Sequence, residues 1–188
     1  MVSPFQNHRL RVAARVLANG GVVAYPTEAV YGLGCDPWDR IAVERILEIK
    51  GRDLAKGLIL IAADLPQLLP FVEPLPSDRM AEILDSWPGP NTWLLPARST
   101  TPAWLTGRFH TLAVRVTAHP LAAGLCRAYG GAIVSTSANR ANRPPARSAF
   151  EVRRVLDHTP DYILSGACGG AERPSTIRDG RTGRILRA

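Results

Sequence analysis

Lysine is nearly missing from this chain. Of its 23 basic residues only Lys50 and Lys56 are lysine, both within one seven-residue stretch, and the rest are arginine. Either two lysines have clustered by chance, or these positions need an ammonium, a compact charge with three rotatable donors suited to phosphate or carboxylate. Cysteine is scarce too. Cys35, Cys126 and Cys168 are widely spaced, with no C-x-x-C and no nearby histidine, and His8, His110, His119 and His158 are equally scattered. That spacing points away from a protein-built zinc site and from a disulfide framework, and fits thiols in a reducing cytoplasm. Apolar runs such as residues 58–63 are far below the ~20 residues of a membrane span. The N-terminus has no apolar core before a small-residue cleavage site, so the expectation is a cytoplasmic protein without a membrane segment. Aromatic residues make up 6% of the chain, too few for an evident base-stacking platform. Three glycine signatures are absent as well: G-x-x-x-x-G-K-[ST], a strand-linked G-x-G-x-x-G, and G-x-S-x-G. These absences argue against P-loop, Rossmann and nucleophile-elbow sites. If a nucleotide binds, something other than a glycine loop must hold its phosphates.

What is present suffices for a folded core. With 188 residues, 46% of them hydrophobic, the chain reads as one domain over residues 1–188, stable without metal or disulfide staples. The net charge is +7, with a surplus of +2 in residues 1–139 and +5 in residues 140–188. Such a surplus attracts polyanions, with nucleic acid or a nucleotide as the obvious partner, or it serves solubility.

Periodicity supplies the elements. Residues 8–19 read as a helix with Leu10, Ala13, Ala14 and Leu17 on one face. Residues 22–25 read as a buried strand stopped by Pro26. Asp39 caps a second helix that carries Val43, Ile46, Leu47 and Lys50 and ends at Gly51. Strands follow at 58–62, 92–95, 111–116 and 132–136, with short helices between the first and second of these. A helix at 119–129 is closed by Gly130, and Ser148 caps another running to about 156. Short strands at 162–164, 175–178 and 184–187 are joined by turns at Asp179-Gly180 and Thr182-Gly183. Helices alternate with strands early and hairpins gather late, which predicts an α/β fold: a twisted sheet of mixed parallel and antiparallel strands flanked by helices.

Four segments place polar groups where a ligand could meet them. Pro26-Thr27-Glu28-Ala29-Val30-Tyr31-Gly32-Leu33-Gly34 follows a buried strand, where ligands of α/β sheets gather; it also reads as a plain strand–helix connection whose glycines supply turn dihedrals. Lys50-Gly51-Arg52 presents two cations on one side if Gly51 extends the chain, or a solvated helix end complementing the macrodipole. In Thr111-Leu112-Ala113-Val114-Arg115-Val116, Leu112, Val114 and Val116 face the core. Thr111 and Arg115 share the other face, toward water or the floor of a polar cleft. Ser135-Thr136-Ser137-Ala138-Asn139, if extended, aligns Ser135, Ser137 and Asn139 for phosphate, ribose or an amino-acid backbone, or serves as a local turn.

Together these segments resemble one family, the short single-domain bacterial YrdC-like threonylcarbamoyl-AMP synthases. The resemblance spans nearly the whole chain. It is carried by Pro26-Thr27-Glu28 with Tyr31-Gly32-Leu33-Gly34, the K-x-R of Lys50 and Arg52, and Lys56-Gly57-Leu58. Trp87-Pro88-Gly89-Pro90, Leu112-Ala113-Val114-Arg115, the S-x-N of Ser137 and Asn139, and Pro174-Ser175-Thr176-Ile177 complete it. Ala29, Asp53 and Ala141-Asn142 depart from the family pattern, outside the K-x-R and S-x-N pairs.

The resemblance implies a nucleotidyltransferase making threonylcarbamoyl-AMP and pyrophosphate from L-threonine, bicarbonate and ATP, for threonylcarbamoyladenosine in tRNAs reading ANN codons. It assigns Thr27, Lys56, Arg115 and Ser175 to threonine or its carbamate. Lys50, Arg52, Ser137 and Asn139 go to ATP, with Ser135 and Arg187 beside them, and Lys50 and Arg52 to transition-state charge. Mg²⁺ is expected to arrive with ATP rather than in a protein-built site, and the product to pass to a tRNA threonylcarbamoyl-transferase complex. A different reading is an RNA-binding protein of RNA or ribosome maturation, with Arg140, Arg143, Arg147, Arg153 and Arg154 along a phosphate backbone. A carbamoyl-phosphate-using transferase is a third.

Overall fold

The structure, a computed structural model, describes residues 4–156 and 160–187; His158 lies outside them. Helix α1 spans Pro4–Ala18, and the chain reverses at Gly20, whose φ is +75°. Strands β1 (Val23–Pro26) and β2 (Tyr31–Gly34) form an antiparallel hairpin. Helix α2 (Arg40–Lys50) starts where Asp39 accepts hydrogen bonds from the backbone N–H groups of Ile41 and Ala42, and stops at Gly51 in the left-handed conformation, φ +58°. A 3-10 turn at Leu54–Lys56 leads into β3 (Ile59–Ala62). Helix α3 (Ser77–Asp85), β4 (Asn91–Pro96), α4 (Ala103–Thr106) and β5 (Thr111–Val116) follow. Next come α5 (Pro120–Tyr129), β6 (Ile133–Ser137), α6 (Ala149–Val155), β7 (Tyr162–Ile163), β8 (Thr176–Asp179) and β9 (Ile185–Arg187). His119 and Ser148 cap α5 and α6 through side-chain acceptors.

All these strands join one sheet in the order β7-β1-β2-β6-β3-β5-β4-β8-β9. The β1/β7, β3/β5 and β4/β8 pairs are parallel and the other neighbours antiparallel, the mixed α/β sheet that the sequence predicts. Side chains alternate across it. Val23, Tyr25, Ile61 and Ile133 pack with Leu10, Ala13 and Leu17 of α1 and Leu125 of α5. Ala24, Leu60, Ala62, Val114 and Val134 pack on the other face with Val43, Ile46 and Leu47 of α2 and Ile83 of α3. In α5, Gly124 leaves room for Leu10 of α1; a Cβ there would stand 3.0 Å from Leu10 Cδ1.

One expectation is corrected. The segment after Pro26 is a hairpin into β2, not a strand–helix connection, and neither Gly32 nor Gly34 has a positive φ. Both glycines lie against the Tyr25 ring. A Cβ on Gly34 would stand 2.6 Å from Val134 O and 2.9 Å from Tyr25 Cε1. Close approach, not turn geometry, requires glycine here.

Candidate active site

The alternation that builds the core also builds a cavity. Helices α1 and α5 cover Ile61 and Ile133, and along the same strands the same face continues uncovered. There the register aligns Ser135, Ile59, Ala113 and Leu94 across β6, β3, β5 and β4. This row floors a cavity of about 470 Å³ walled by the β1–β2 loop, the segment around Arg52–Leu58, Pro90, Phe109, Pro145, and residues 173–175, Ile177 and Arg187. The floor is largely apolar, and the walls carry the charge.

Thr27, Lys56, Arg115 and Ser175 all reach this cavity. Thr27 is buried at the tip of the β1 strand, and its Oγ1 donates to Val30 O at 2.7 Å, which shapes the loop. Lys56 is exposed at the end of its 3-10 turn. Arg115, 7% exposed, lies on the cavity face of β5, so the period-two reading holds and the cleft floor, not water, is its destination. Its Nη2 stands 3.5 Å from Glu28 Oε2. Ser175 shares a 2.8 Å hydroxyl–hydroxyl hydrogen bond with Thr92.

Arg52, Ser135, Ser137 and Arg187 also line the cavity. Arg52 donates to Gly57 O at 3.1 Å and Arg187 to Ser175 O at 2.9 Å. Burial pulls the Arg52 guanidinium below its ordinary pKa; burial, then the charges of Arg115 and Arg52, do the same to Arg187. Three guanidinium groups lining one cavity, with Arg187 feeling the charge of the other two, form a site for anions. The Nε atoms of Arg52 and Arg115 are buried without a hydrogen-bond partner among the described residues.

Lys50 and Asn139 stand elsewhere. Neither is among the cavity-lining residues, although both bond to Ser137, which is. Lys50 ends α2, and the left-handed turn at Gly51 sends Arg52 toward the cavity while the Lys50 side chain runs beneath the end of β6. Its ammonium donates to Ser137 O, to Asn139 O and to Asn139 Oδ1, the last two at 2.9 Å. Burial, and then Arg52, lower its pKa to about 8. Asn139 leaves the row expected from an extended 135–139 segment because β6 stops at Ser137 and the chain folds back. Its Oδ1 instead accepts from Ser137 Oγ at 2.6 Å. Lys50 of the K-x-R pair and Asn139 of the S-x-N pair are thus joined, and both hold Ser137.

Sequence reasoning passed over two charged lining residues. Glu28 is the carboxylate of the cavity wall among the described residues. Burial raises its pKa, but Arg115, the Thr117 hydroxyl at 2.7 Å and the Ala118 N–H at 3.0 Å outweigh this and hold it below the ordinary value. An acidic residue within a segment already singled out was the available signal. Arg173 is the other, next to the Pro174-Ser175 motif.

A family model described as Telomere recombination, covering Sua5, YciO and YrdC proteins, matches residues 15–188. The chain belongs to the Sua5/YciO/YrdC family. A threonylcarbamoyl-AMP synthase of Nitrosococcus oceani is 59% identical to this family member over 181 residues, 96% of this chain and 98% of that protein. Among solved structures, P. abyssi Sua5 in complex with L-threonine superposes with a TM-score of 0.86 at 35% identity; the match covers 92% of this chain and 51% of that one. This chain thus spans about half the length of that Sua5. E. coli YciO superposes with a TM-score of 0.84 at 26% identity, covering 96% of this chain and 89% of that one. The shared fold of the Sua5/YciO/YrdC family therefore includes the sheet face that forms the cavity here.

Proposed function

We infer that the chain is a threonylcarbamoyl-AMP synthase, converting L-threonine, bicarbonate and ATP into threonylcarbamoyl-AMP and pyrophosphate. The observation that carries this is a cavity where Arg52, Lys56, Arg115 and Arg187 converge against one carboxylate, in a chain 59% identical to a curated synthase. The reaction brings anions together. Threonine's neutral amine condenses with bicarbonate to give a carbamate and water, and a carbamate oxygen then attacks the α-phosphorus of ATP, expelling pyrophosphate. No covalent enzyme intermediate is needed; positioning and charge neutralisation suffice.

Thr27, Lys56, Arg115 and Ser175 hold threonine and its carbamate, and Glu28 keeps Arg115 in place. The apolar floor of Ile59, Ala113 and Leu94 suits threonine's methyl group. Arg52, Ser135, Ser137 and Arg187 hold ATP, with Arg52 donating to charge that grows on the phosphates in the transition state. Lys50 and Asn139 fix Ser137 beneath the nucleotide. The ATP enters as its Mg²⁺ complex: the Glu28 carboxylate is already engaged by Arg115, Thr117 and Ala118, and phosphates with water are the remaining ligands. The product then passes, in the cytoplasm, to a tRNA threonylcarbamoyl-transferase complex. A tRNA contact during that transfer falls to the exposed Arg143, Arg147, Arg153 and Arg154 and to Arg140 beside them.

The decisive experiment is pyrophosphate release from ATP with and without L-threonine and bicarbonate. Release requires both, and Arg52→Ala lowers it by two or more orders of magnitude with the fold intact, the scale of losing a transition-state donor. Serine in place of threonine lowers kcat/KM by roughly 10- to 200-fold, the worth of one buried methyl. A folded protein that releases no pyrophosphate in response to threonine refutes the assignment.

A further inference from the structure

Strands β7 and β8 are consecutive in sequence, yet six strands separate them in the sheet. Seven strand spacings of about 4.8 Å amount to roughly 34 Å, while the connecting residues 164–175 reach only roughly 40–45 Å when fully extended. The connection is a strap that must run across the strand ends. Its first half is fastened to the β1–β2 loop, with Gly169 N donating to Thr27 O at 3.0 Å and Ala171 N to Glu28 O at 2.9 Å. Farther on, Arg147 donates to Glu172 O at 3.0 Å, and Arg187 holds Ser175 O. Between these anchors Arg173 is exposed, lines the cavity, and makes no hydrogen bond or ion pair among the described residues. Arg52, Arg115 and Arg187 each have a protein partner; Arg173 has none among the described residues.

We propose that Arg173, held over the cavity mouth by this strap, binds the β- and γ-phosphates of ATP and so steadies the pyrophosphate leaving group. The proposal rests on the synthase reading and assigns it a further residue. Charge supports it. The lining cations Arg52, Lys56, Arg115, Arg173 and Arg187, less Glu28, give +4. MgATP and threonine carbamate carry two negative charges each, and products conserve the total. Without Arg173 one negative charge is left over. Position supports it too. The terminal phosphates are the most highly charged part of the substrates and must leave through the mouth, where a planar guanidinium can grip them in bidentate fashion and still face water.

The test measures binding of ATP and of AMP, both with Mg²⁺, to wild type, Arg173→Ala and Arg173→Lys. Arg173→Ala is expected to weaken ATP roughly 10- to 100-fold, the worth of charged hydrogen bonds, and to leave AMP and the KM for threonine unchanged. Arg173→Lys recovers part of the loss, and pyrophosphate inhibits Arg173→Ala less strongly. The melting temperature of ligand-free Arg173→Ala does not fall, because Arg173 has no partner among the described residues and one cation fewer eases the repulsion at the cavity. Equal weakening of ATP and AMP, a raised KM for threonine alone, or no change overturns the proposal. Binding needs no turnover. A wild type that prefers ATP to AMP but releases no threonine-dependent pyrophosphate would refute the synthase reading while leaving the phosphate role of Arg173 readable.

Discussion

A lysine ammonium has three protons to donate, and Lys50 directs its own at Ser137 O, Asn139 O and Asn139 Oδ1. Lys50→Met keeps the volume and removes every donor: Asn139 O loses its hydrogen bond, and Ser137 O and Asn139 Oδ1 keep only those from Asn139 N and Ser137 Oγ. The expected cost is about 2–4 kcal/mol in urea unfolding, with a fall in kcat as Ser137 loses its support. Linkage gives a second signature. Its pKa of about 8 lies below the ordinary 10.5, so between those values the unfolded chain binds more protons and native stability rises with pH. That rise is absent from Lys50→Met, which urea titrations at pH 7.5 and 10 will show. Glu28 follows the same sign in an acidic window. Its pKa lies below the ordinary 4.5, so its stabilisation is complete above that value and is lost as pH falls through the folded pKa. Glu28→Gln is expected to be less stable at pH 7 and to lose less stability than wild type on acidification to pH 3, read as denaturant midpoints. In the sequence, Arg115 was legible because period two separated it from Leu112, Val114 and Val116. The residue type of Lys50 was legible but its direction was not, because one left-handed glycine decides which of Lys50 and Arg52 enters the cavity.

Glycine separates two kinds of element in this fold. Gly51 ends α2 in open space with φ +58°, whereas Gly34 sits in mid-strand with a carbonyl and a ring where its Cβ would be. Gly51→Ala is expected to cost about 1 kcal/mol, the strain of a left-handed alanine. Gly34→Ala must push β2 from β6 or displace the buried Tyr25, and overpacking of that kind costs about 1–3 kcal/mol or more. Paired denaturation curves test the order, Gly34→Ala having the lower midpoint. The contrast also explains what the sequence concealed. Strands rich in branched apolar residues, such as β3, β5 and β6, announced themselves, as did helices with an Asp39, His119 or Ser148 cap. Strand β2, Tyr-Gly-Leu-Gly, has the composition of a turn. Its strand identity comes from Tyr25 on the neighbouring strand, a tertiary contact that no local pattern contains.

At the scale of the whole molecule, the sheet gathers cations that the sequence scatters from Arg52 to Arg187. Strand order brings β5, carrying Arg115, within two strands of β8 and three of β9 with Arg187, and that adjacency is invisible until the strands are paired. Five lining cations face one lining carboxylate in a chain of net charge +7, so the ligand-free protein carries unrelieved repulsion at the cavity. Its melting temperature is expected to rise between 20 and 300 mM NaCl, as screening shortens the Debye length from roughly 20 Å to below 8 Å. Pyrophosphate at low salt should raise it further, by saturable mass action worth about 2.7 kcal/mol at a hundredfold excess over Kd. General repulsion over the surface would give the salt effect without saturation, so the decisive curve is melting temperature against pyrophosphate in wild type and in Arg52→Gln. A saturating rise in wild type that is right-shifted in Arg52→Gln locates the repulsion in the cavity. Superimposed curves would place it on the surface and deprive the cavity of its role as the anion site.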